Sequence, residues 1–171
     1  YNVGTAVRRT IRTNNYYESS KDFRYDATTS HDPSRKEVYV MVIGETGRAQ
    51  NWQLFGYDRE TTPRLFASDG LIGYCRALTE SNTTHKSVPM LMSTLSAENY
   101  DSIYSRKCII SAFKEAGFQT AFLSMQRYNH SFIDFFGMEA DTTDFIRERS
   151  TKDTLLYDDD LLAAAYRFIK T

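Results

Sequence analysis

Short apolar runs alternate along this chain with segments of helical periodicity. Four runs predict strands, at 37–43, 71–77, 118–124 and 145–146. The first (EVYVMVI) is almost continuously apolar and rich in valine, as in a strand buried on both faces of a parallel sheet. Between the runs, apolar spacing with start and stop residues predicts helices over 49–55, 62–69, 84–95, 106–116, 132–136 and 158–171. This alternation predicts an α/β fold with a mainly parallel sheet.

A proline interrupts the helical pattern at 84–95. Pro89 has no amide hydrogen, so a helix that contains it beyond the first turn loses one backbone hydrogen bond. The pattern therefore favours a helix start nearer Ser87 than Thr84.

The first 35 residues follow neither pattern. Asparagine, serine and threonine are scattered among charges without a sustained apolar period, up to Asp32-Pro33. This composition predicts an extended lead-in with at most one short amphipathic turn. We interpret residues 1–35 as a tether and residues 36–171 as the folded domain.

Composition excludes some classes of function. Lys+Arg 21 against Asp+Glu 22 gives a net charge of -1, which argues against a nucleic-acid binder that relies on a basic face. The two cysteines, Cys75 and Cys108, cannot form a disulfide framework and are interpreted as buried apolar residues. No apolar run approaches the roughly 20 residues needed to cross a bilayer.

Polar segments follow three of the predicted strands, at 44–46, 79–86 and 124–130. Ligands of parallel sheets bind at the carboxyl ends of the strands, so we expect these segments to converge on one edge. Glu45 stands at the end of the first predicted strand, next to Gly44. Its carboxylate could bind a cation or act as a general base, or it could be a solvated acid that caps the next helix.

Thr84 lies in a cluster of hydroxyl, amide, imidazole and ammonium groups (SNTTHK) before a predicted helix. A helix start favours a phosphoryl oxygen, and the Thr84 hydroxyl could be a nucleophile if a metal or a base activated it. Ordinary helix capping uses the same residue types and is the alternative. His130 follows the third strand and could bind substrate or a proton, or it could be purely structural.

Two longer motifs resemble one enzyme family. Residues 40–51 (VMVIGETGRAQN) and 55–63 (FGYDRETTP) resemble the opening of the catalytic domain in phosphoethanolamine transferases of the alkaline phosphatase and sulfatase superfamily. In that family an apolar strand leads into G-E-[ST]-x-R and then G-Y-x-R-x-T-T-P. Residues 83–90 (TTHKSVPM) are similar to its nucleophile segment, in which a threonine stands five residues before the proline, as Thr84 does. The resemblance covers roughly 37–171.

The resemblance implies a three-layer α/β/α, alkaline phosphatase-like fold and a zinc ion bound by Glu45 and Thr84. Thr84 would take phosphoethanolamine from phosphatidylethanolamine and pass it to lipopolysaccharide, lipid A or another glycan. Gln126, Asn129 and His130 match polar residues that contact the transferred group. The family's proteins lie in the inner membrane with a periplasmic catalytic domain, so transmembrane helices would precede residue 1.

The chain also departs from the family. Glu80 and Met90 occupy positions where lipid A-type members often carry a disulfide. The remaining zinc ligands, an S-D-H-G-E block and a later histidine, are absent, as is an H-x-x-G-x-H segment. We therefore expect 36–171 to be the N-terminal half of the catalytic domain, inactive by itself.

Two other functions are compatible with the residues. A sulfatase-like hydrolase or phosphatase would hand the group from Thr84 to water. A non-catalytic periplasmic domain would keep the fold and bind a glycan or a partner.

Overall fold

In a computed structural model of the chain, residues 2–30, 32, 34–149 and 156–170 are described. The chain divides into two compact units: a larger one of Tyr1–Arg35 with Glu80–Thr171, and a smaller one of Lys36–Thr79. Pro33, at the predicted end of the lead-in, and Thr171, at the predicted end of the last helix, lie outside the described residues.

The regular structure of the described residues consists of α-helices, short 3-10 helices and one sheet of two strands. The α-helices are α1 Asn2–Asn14, α2 Tyr16–Ser20, α3 Pro63–Phe66, α4 Thr84–Leu91, α5 Ile109–Glu115, α6 Phe132–Gly137 and α7 Asp158–Lys170. Short 3-10 helices cover Ala49–Asn51, Gln53–Phe55, Tyr100–Ser105 and Ile146–Arg149. The strands are β1 Ala121–Ser124 and β2 Thr142–Phe145.

β1 and β2 pair in parallel, with Ala121 opposite Thr142 and Ser124 opposite Phe145. Parallel strands need a crossover connection, and α6 supplies it here. α7 packs against β1. The third predicted strand is confirmed by β1, and β2 lies at the position of the fourth. A parallel pair with helices around it agrees with the predicted α/β class.

The predicted strands at 37–43 and 71–77 are wrong. Both segments are without regular structure, and their apolar side chains are exposed, with Val42 at 81% and Ile72 at 73%. An apolar run becomes a strand only when a neighbouring strand takes up its backbone groups and packing covers its faces. The described part of the smaller unit consists of turns and short helices. It therefore provides neither a neighbouring strand for the backbone groups nor packing over the apolar faces. The interpretation of Cys75 as buried is wrong for the same reason, whereas Cys108 is buried as expected.

The extended lead-in predicted for residues 1–35 is also wrong, because α1 and α2 occupy most of its first twenty residues. Tyr16 and Ser20 are four residues apart and therefore share one face of α2, and both are buried. The polar composition did not indicate this, because Tyr16 is the one residue of this segment in the buried apolar core of the described residues. The tethering role of this segment stays a prediction.

Tyr16 lies at the centre of the core of the larger unit and is 1% exposed. Its ring stacks on Phe135 at a centroid distance of 5.5 Å and meets Phe132 edge-to-face at 5.4 Å. Its hydroxyl donates to Oε1 of Glu139 at 2.7 Å, with the carbonyl oxygen of Arg106 2.9 Å away. One side chain thus joins the N-terminal helices to residues far along the chain.

The carboxylate of Glu139 gathers three donors at the start of α5. Besides Tyr16, its Oε2 accepts from the Cys108 amide at 3.0 Å and from the Ser111 hydroxyl at 2.7 Å. A carboxylate near a helix start is favoured by the exposed amides and the helix dipole. Burial, followed by the neighbouring Glu139 charge, raises the pKa of Tyr16 and of the Cys108 thiol, so both groups stay protonated.

Gly137 of α6 lies against the ring of Phe122 in β1. A Cβ added there would lie far inside van der Waals distance of three ring carbons of Phe122. We expect Gly137→Ala to lower the free energy of unfolding by about 1–3 kcal/mol, because the ring must shift within a packed layer. Urea unfolding followed by circular dichroism measures this.

The matched control for this substitution is Gly4→Ala in α1, where an added Cβ meets no atom within 4 Å. Alanine in an open helix position is expected to stabilise by about 0.5–1 kcal/mol. Equal unfolding midpoints for Gly137→Ala and the unsubstituted protein would show that the α6–β1 contact is looser than described.

Candidate functional site

Thr84 is the first residue of α4, one position after the extended N-cap residue Thr83. The amides of Lys86 and Ser87 donate to the carbonyl oxygen of Thr83 at 3.0 and 2.9 Å, which closes the first turn. The Thr83 side chain makes no capping hydrogen bond. Thr84, His85 and Lys86 are exposed. The first turn of α4 therefore presents a hydroxyl, an imidazole and an ammonium group at the positive end of the helix dipole.

The start of this helix differs from the prediction. α4 begins at Thr84 and not near Ser87, with Pro89 buried as its sixth residue. Pro89 cannot donate to the carbonyl of His85, four residues earlier. The Tyr100 hydroxyl donates to that carbonyl instead, at 3.0 Å. Burial raises the pKa of Tyr100, which therefore keeps its proton for this bond. A contact from outside the helix thus compensates for the proline.

Glu45 lies in the smaller unit, two residues after the apolar run 37–43, and its side chain is exposed. The next residue, Thr46, has a φ of 57°. The left-handed region is unfavourable for a β-branched residue and costs about 1–3 kcal/mol. Strain of this kind concentrates at functional sites, so the backbone at 45–46 is consistent with a site residue at Glu45.

The segment after β1 holds the three predicted contacts for the transferred group. Ser124 Oγ, at the end of β1, accepts from the amide of Gln126 at 3.0 Å. The amide of Asn129 donates to Oδ2 of Asp134 at 2.7 Å, and Oδ1 of Asn129 accepts from the Ser131 amide at 3.0 Å. The Asn129 side chain therefore holds the loop in shape, a structural role that the sequence pattern did not suggest.

His130 takes a left-handed φ of 61° on this loop, which is uncommon outside glycine. Its ring lies 4.6 Å from that of Tyr128 in an edge-to-face arrangement. The side chains of Gln126 and His130 are exposed. The loop thus presents an amide and an imidazole to solvent on a backbone fixed by Asp134.

The larger unit brings two of the three predicted segments onto neighbouring elements. α4, which begins at Thr84, packs against α6, and α6 begins just after the loop 126–130. That loop leaves the carboxyl end of β1, as predicted for a parallel sheet. The third segment, with Glu45, belongs to the smaller unit.

The zinc implied by the resemblance can be tested against the donors present. Catalytic zinc sites use about three protein ligands, whereas Glu45 and Thr84 supply one carboxylate and one hydroxyl. Among the residues that the structure describes, no three His, Cys, Asp or Glu side chains converge to hold a metal ion. The described residues therefore do not complete a zinc site. Within the same residues, no helix is both long and apolar enough to cross a membrane.

Comparison with known proteins decides the family. The family model described as Sulfatase matches residues 37–171. The chain belongs to the sulfatase family. The predicted resemblance to the alkaline phosphatase and sulfatase superfamily is confirmed, and so is the fold class.

Several curated relatives of this sulfatase-family chain are transferases by name. Phosphatidylethanolamine transferase Mcr-2 of Escherichia coli is 38% identical over 44% of the chain and 14% of its own length. Phosphoethanolamine transferase EptA of Escherichia coli (strain K12) is 39% identical over 39% of the chain and 12% of its own length. Phosphoethanolamine transferase CptA of Salmonella typhimurium is 24% identical over 78% of the chain and 24% of its own length.

The matched part of the chain spans about a quarter or less of the length of these relatives. A comparison with solved structures found no match. The similarity to phosphoethanolamine transferases is therefore shown by sequence.

Sequence reasoning missed two residues that position the candidate site. Tyr100 supports α4, and Asp134 holds the loop 126–130. Asp134 had a visible signal, since Ser131 and Asp134 have the spacing of a capping box and form one at the start of α6. The contact of Tyr100 is long-range and has no local signature; only the carbonyl exposed by Pro89 indicated that a donor was needed.

Proposed function

We propose that this sulfatase-family chain is part of a phosphoethanolamine transferase that uses Thr84 as its nucleophile. The observation that supports this most strongly is the place of Thr84: exposed at the first residue of α4, within the segment similar to the family's nucleophile segment. The transferase names of the relatives support the same reaction class. The donor would be phosphatidylethanolamine, and the acceptor lipopolysaccharide, lipid A or another glycan.

The reaction divides into two transfers. The hydroxyl of Thr84 gives up its proton as its oxygen attacks phosphorus and forms an O–P bond. The bond from phosphorus to the diacylglycerol oxygen breaks, and that oxygen takes up a proton in turn. An acceptor hydroxyl then attacks the same phosphorus, and Thr84 regains its proton as it leaves. Such a covalent intermediate splits one difficult displacement into two easier ones.

The surroundings of Thr84 suit an anionic group. The positive end of the α4 dipole and the exposed Lys86 both favour phosphoryl oxygens near the first turn. Gln126 and His130 are proposed to contact the phosphoethanolamine from the loop after β1, with Asn129 shaping that loop. The site of action proposed is the inner membrane, with the catalytic domain in the periplasm, because both the donor and the acceptor are envelope lipids or glycans.

Product analysis tests the reaction in the full-length protein. With phosphatidylethanolamine labelled in its headgroup, the label is expected on the glycan acceptor, with diacylglycerol as the second product. Free phosphoethanolamine without labelled acceptor would instead indicate a sulfatase-like hydrolase. Retention of all label in the donor, with saturable glycan binding, would indicate a non-catalytic binding domain.

Glu45→Ala tests the ligand role that the resemblance implies. Because Glu45 and Thr84 do not complete a zinc site themselves, the zinc content is measured in the full-length protein. Loss of a direct ligand is expected to weaken zinc binding at least about tenfold, and so to lower the zinc content measured by atomic emission. The control is Glu60→Ala, an exposed glutamate in the same unit. Equal zinc contents in both variants would contradict the assignment.

A further inference from the structure

α1 carries an apolar stripe that the rest of the larger unit does not cover. Val3, Val7 and Ile11 follow one another at intervals of four and therefore lie along one side of the helix. Their side chains are 77%, 54% and 56% exposed. No residue of α1 is buried. The helix thus has the form of an amphipathic surface helix whose apolar side faces solvent.

The contacts that hold α1 lie on its other side. The guanidinium of Arg12 donates to the carbonyl oxygen of Asp101 at 3.0 Å and lies 3.9 Å above the ring of Tyr104. Arg12 follows Val7 by five residues, about 140° around a helix of 3.6 residues per turn. The side that is docked on the domain therefore points away from the apolar stripe, which is left facing outwards.

All the charged side chains of α1 are positive. Arg8, Arg9 and Arg12 lie within Asn2–Asn14, and the helix has no acidic residue. This local excess contrasts with the net charge of -1 of the whole chain. A basic helix with one apolar side is typical of segments that lie on anionic membrane surfaces.

We propose that α1 lies on the surface of a membrane containing anionic phospholipids, with Val3, Val7 and Ile11 in the headgroup region. Thirteen residues make a helix of about 20 Å, too short to cross a hydrocarbon core of about 30 Å, so the helix lies along the surface. Charge complementarity favours lipid phosphates over a second copy, since α1 of a second copy would bring the same exposed positive charges of Arg8 and Arg9. The proposal assigns membrane contact to this chain's own residues.

Vesicle flotation of the 171-residue chain tests the proposal, once circular dichroism has shown that this chain folds on its own. Vesicles of phosphatidylcholine with phosphatidylglycerol are expected to bind the chain, vesicles of phosphatidylcholine alone much less, and added salt should release it. The double variant Arg8→Gln with Arg9→Gln should reduce partitioning about 25-fold, roughly fivefold for each charge removed near the surface. Val7→Ser with Ile11→Ser should reduce it at least about tenfold.

Matched controls come from exposed residues of the smaller unit. Leu78→Ser removes a side chain that is 96% exposed, and Arg59→Gln removes an exposed positive charge. Both are expected to leave vesicle binding unchanged, and circular dichroism should show the fold intact in every variant, since all the altered side chains are exposed.

Three results would overturn the proposal. They are absence of binding to anionic vesicles, equal binding by the stripe variant and the unsubstituted chain, and a dimer in sedimentation velocity that Val7→Ser with Ile11→Ser abolishes. The last would show that a second copy covers the stripe. Because the vesicles contain no phosphatidylethanolamine and the measurement is binding, failure here would leave the proposed transfer reaction untouched.

Discussion

Replacing Thr84 by alanine in the full-length protein is expected to lower phosphoethanolamine transfer by at least about a thousandfold. The substitution removes the oxygen that would bond to phosphorus, so the covalent intermediate cannot form. Because Thr84 is exposed at the helix start, the fold should survive its loss. Transfer is measured with headgroup-labelled phosphatidylethanolamine, and the intermediate by intact mass of the protein.

Thr83→Ala is the matched control, since it removes the same side chain one residue earlier. Thr83 is also exposed and makes no capping hydrogen bond, so transfer should stay within about threefold. A Thr84→Ala protein that still acquires the mass of phosphoethanolamine would refute the nucleophile assignment. Loss of activity in both variants, with circular dichroism changed, would point to damage of α4 instead.

Replacing Tyr16 by alanine is expected to lower the free energy of unfolding of the larger unit by about 4 kcal/mol. The ring fills the centre of the core against Phe132 and Phe135, and its hydroxyl satisfies Glu139. The substitution leaves both a cavity and a carboxylate without one of its donors. Urea unfolding followed by circular dichroism gives the change in free energy.

The neighbouring Tyr17 provides the control, because it is the same residue type on the same helix but 53% exposed. Tyr17→Ala should cost about 1 kcal/mol or less. Tyr16→Phe separates the two contributions of Tyr16: losing the hydroxyl alone should cost about 1–2 kcal/mol. Equal losses for Tyr16→Ala and Tyr17→Ala would show that the N-terminal helices do not belong to the core.

Local signals account for the parts of the fold that were predicted correctly. The helix start at Thr62-Pro63, the stop at Gly117 with its positive φ of 88°, and the acidic start of α7 all act within one or two turns of backbone. β1 was predicted from its apolar run. The predicted fourth strand, 145–146, overlaps β2 at Phe145. These elements form from residues that are neighbours in the sequence.

Predictions that depended on distant partners were less successful. The apolar run 37–43 has the composition of a buried strand, but burial depends on what packs against it, which no local pattern records. Tyr16 shows the opposite case, since it lies in a polar segment and is buried by residues about a hundred positions away. Among the residues that support the candidate site, Asp134 carried a local signal in its capping box with Ser131, whereas the long-range contact of Tyr100 had none.

The short helix Tyr100–Ser105 contacts two functional candidates at once. Tyr100 completes the backbone hydrogen bonding of α4 at His85, and Asp101 and Tyr104 hold Arg12 of α1. Six residues therefore connect the helix proposed to rest on lipid with the helix that begins at Thr84. Any shift of this segment would change both contacts together. The attachment of α1 and the backbone support of α4 therefore depend on the same six residues.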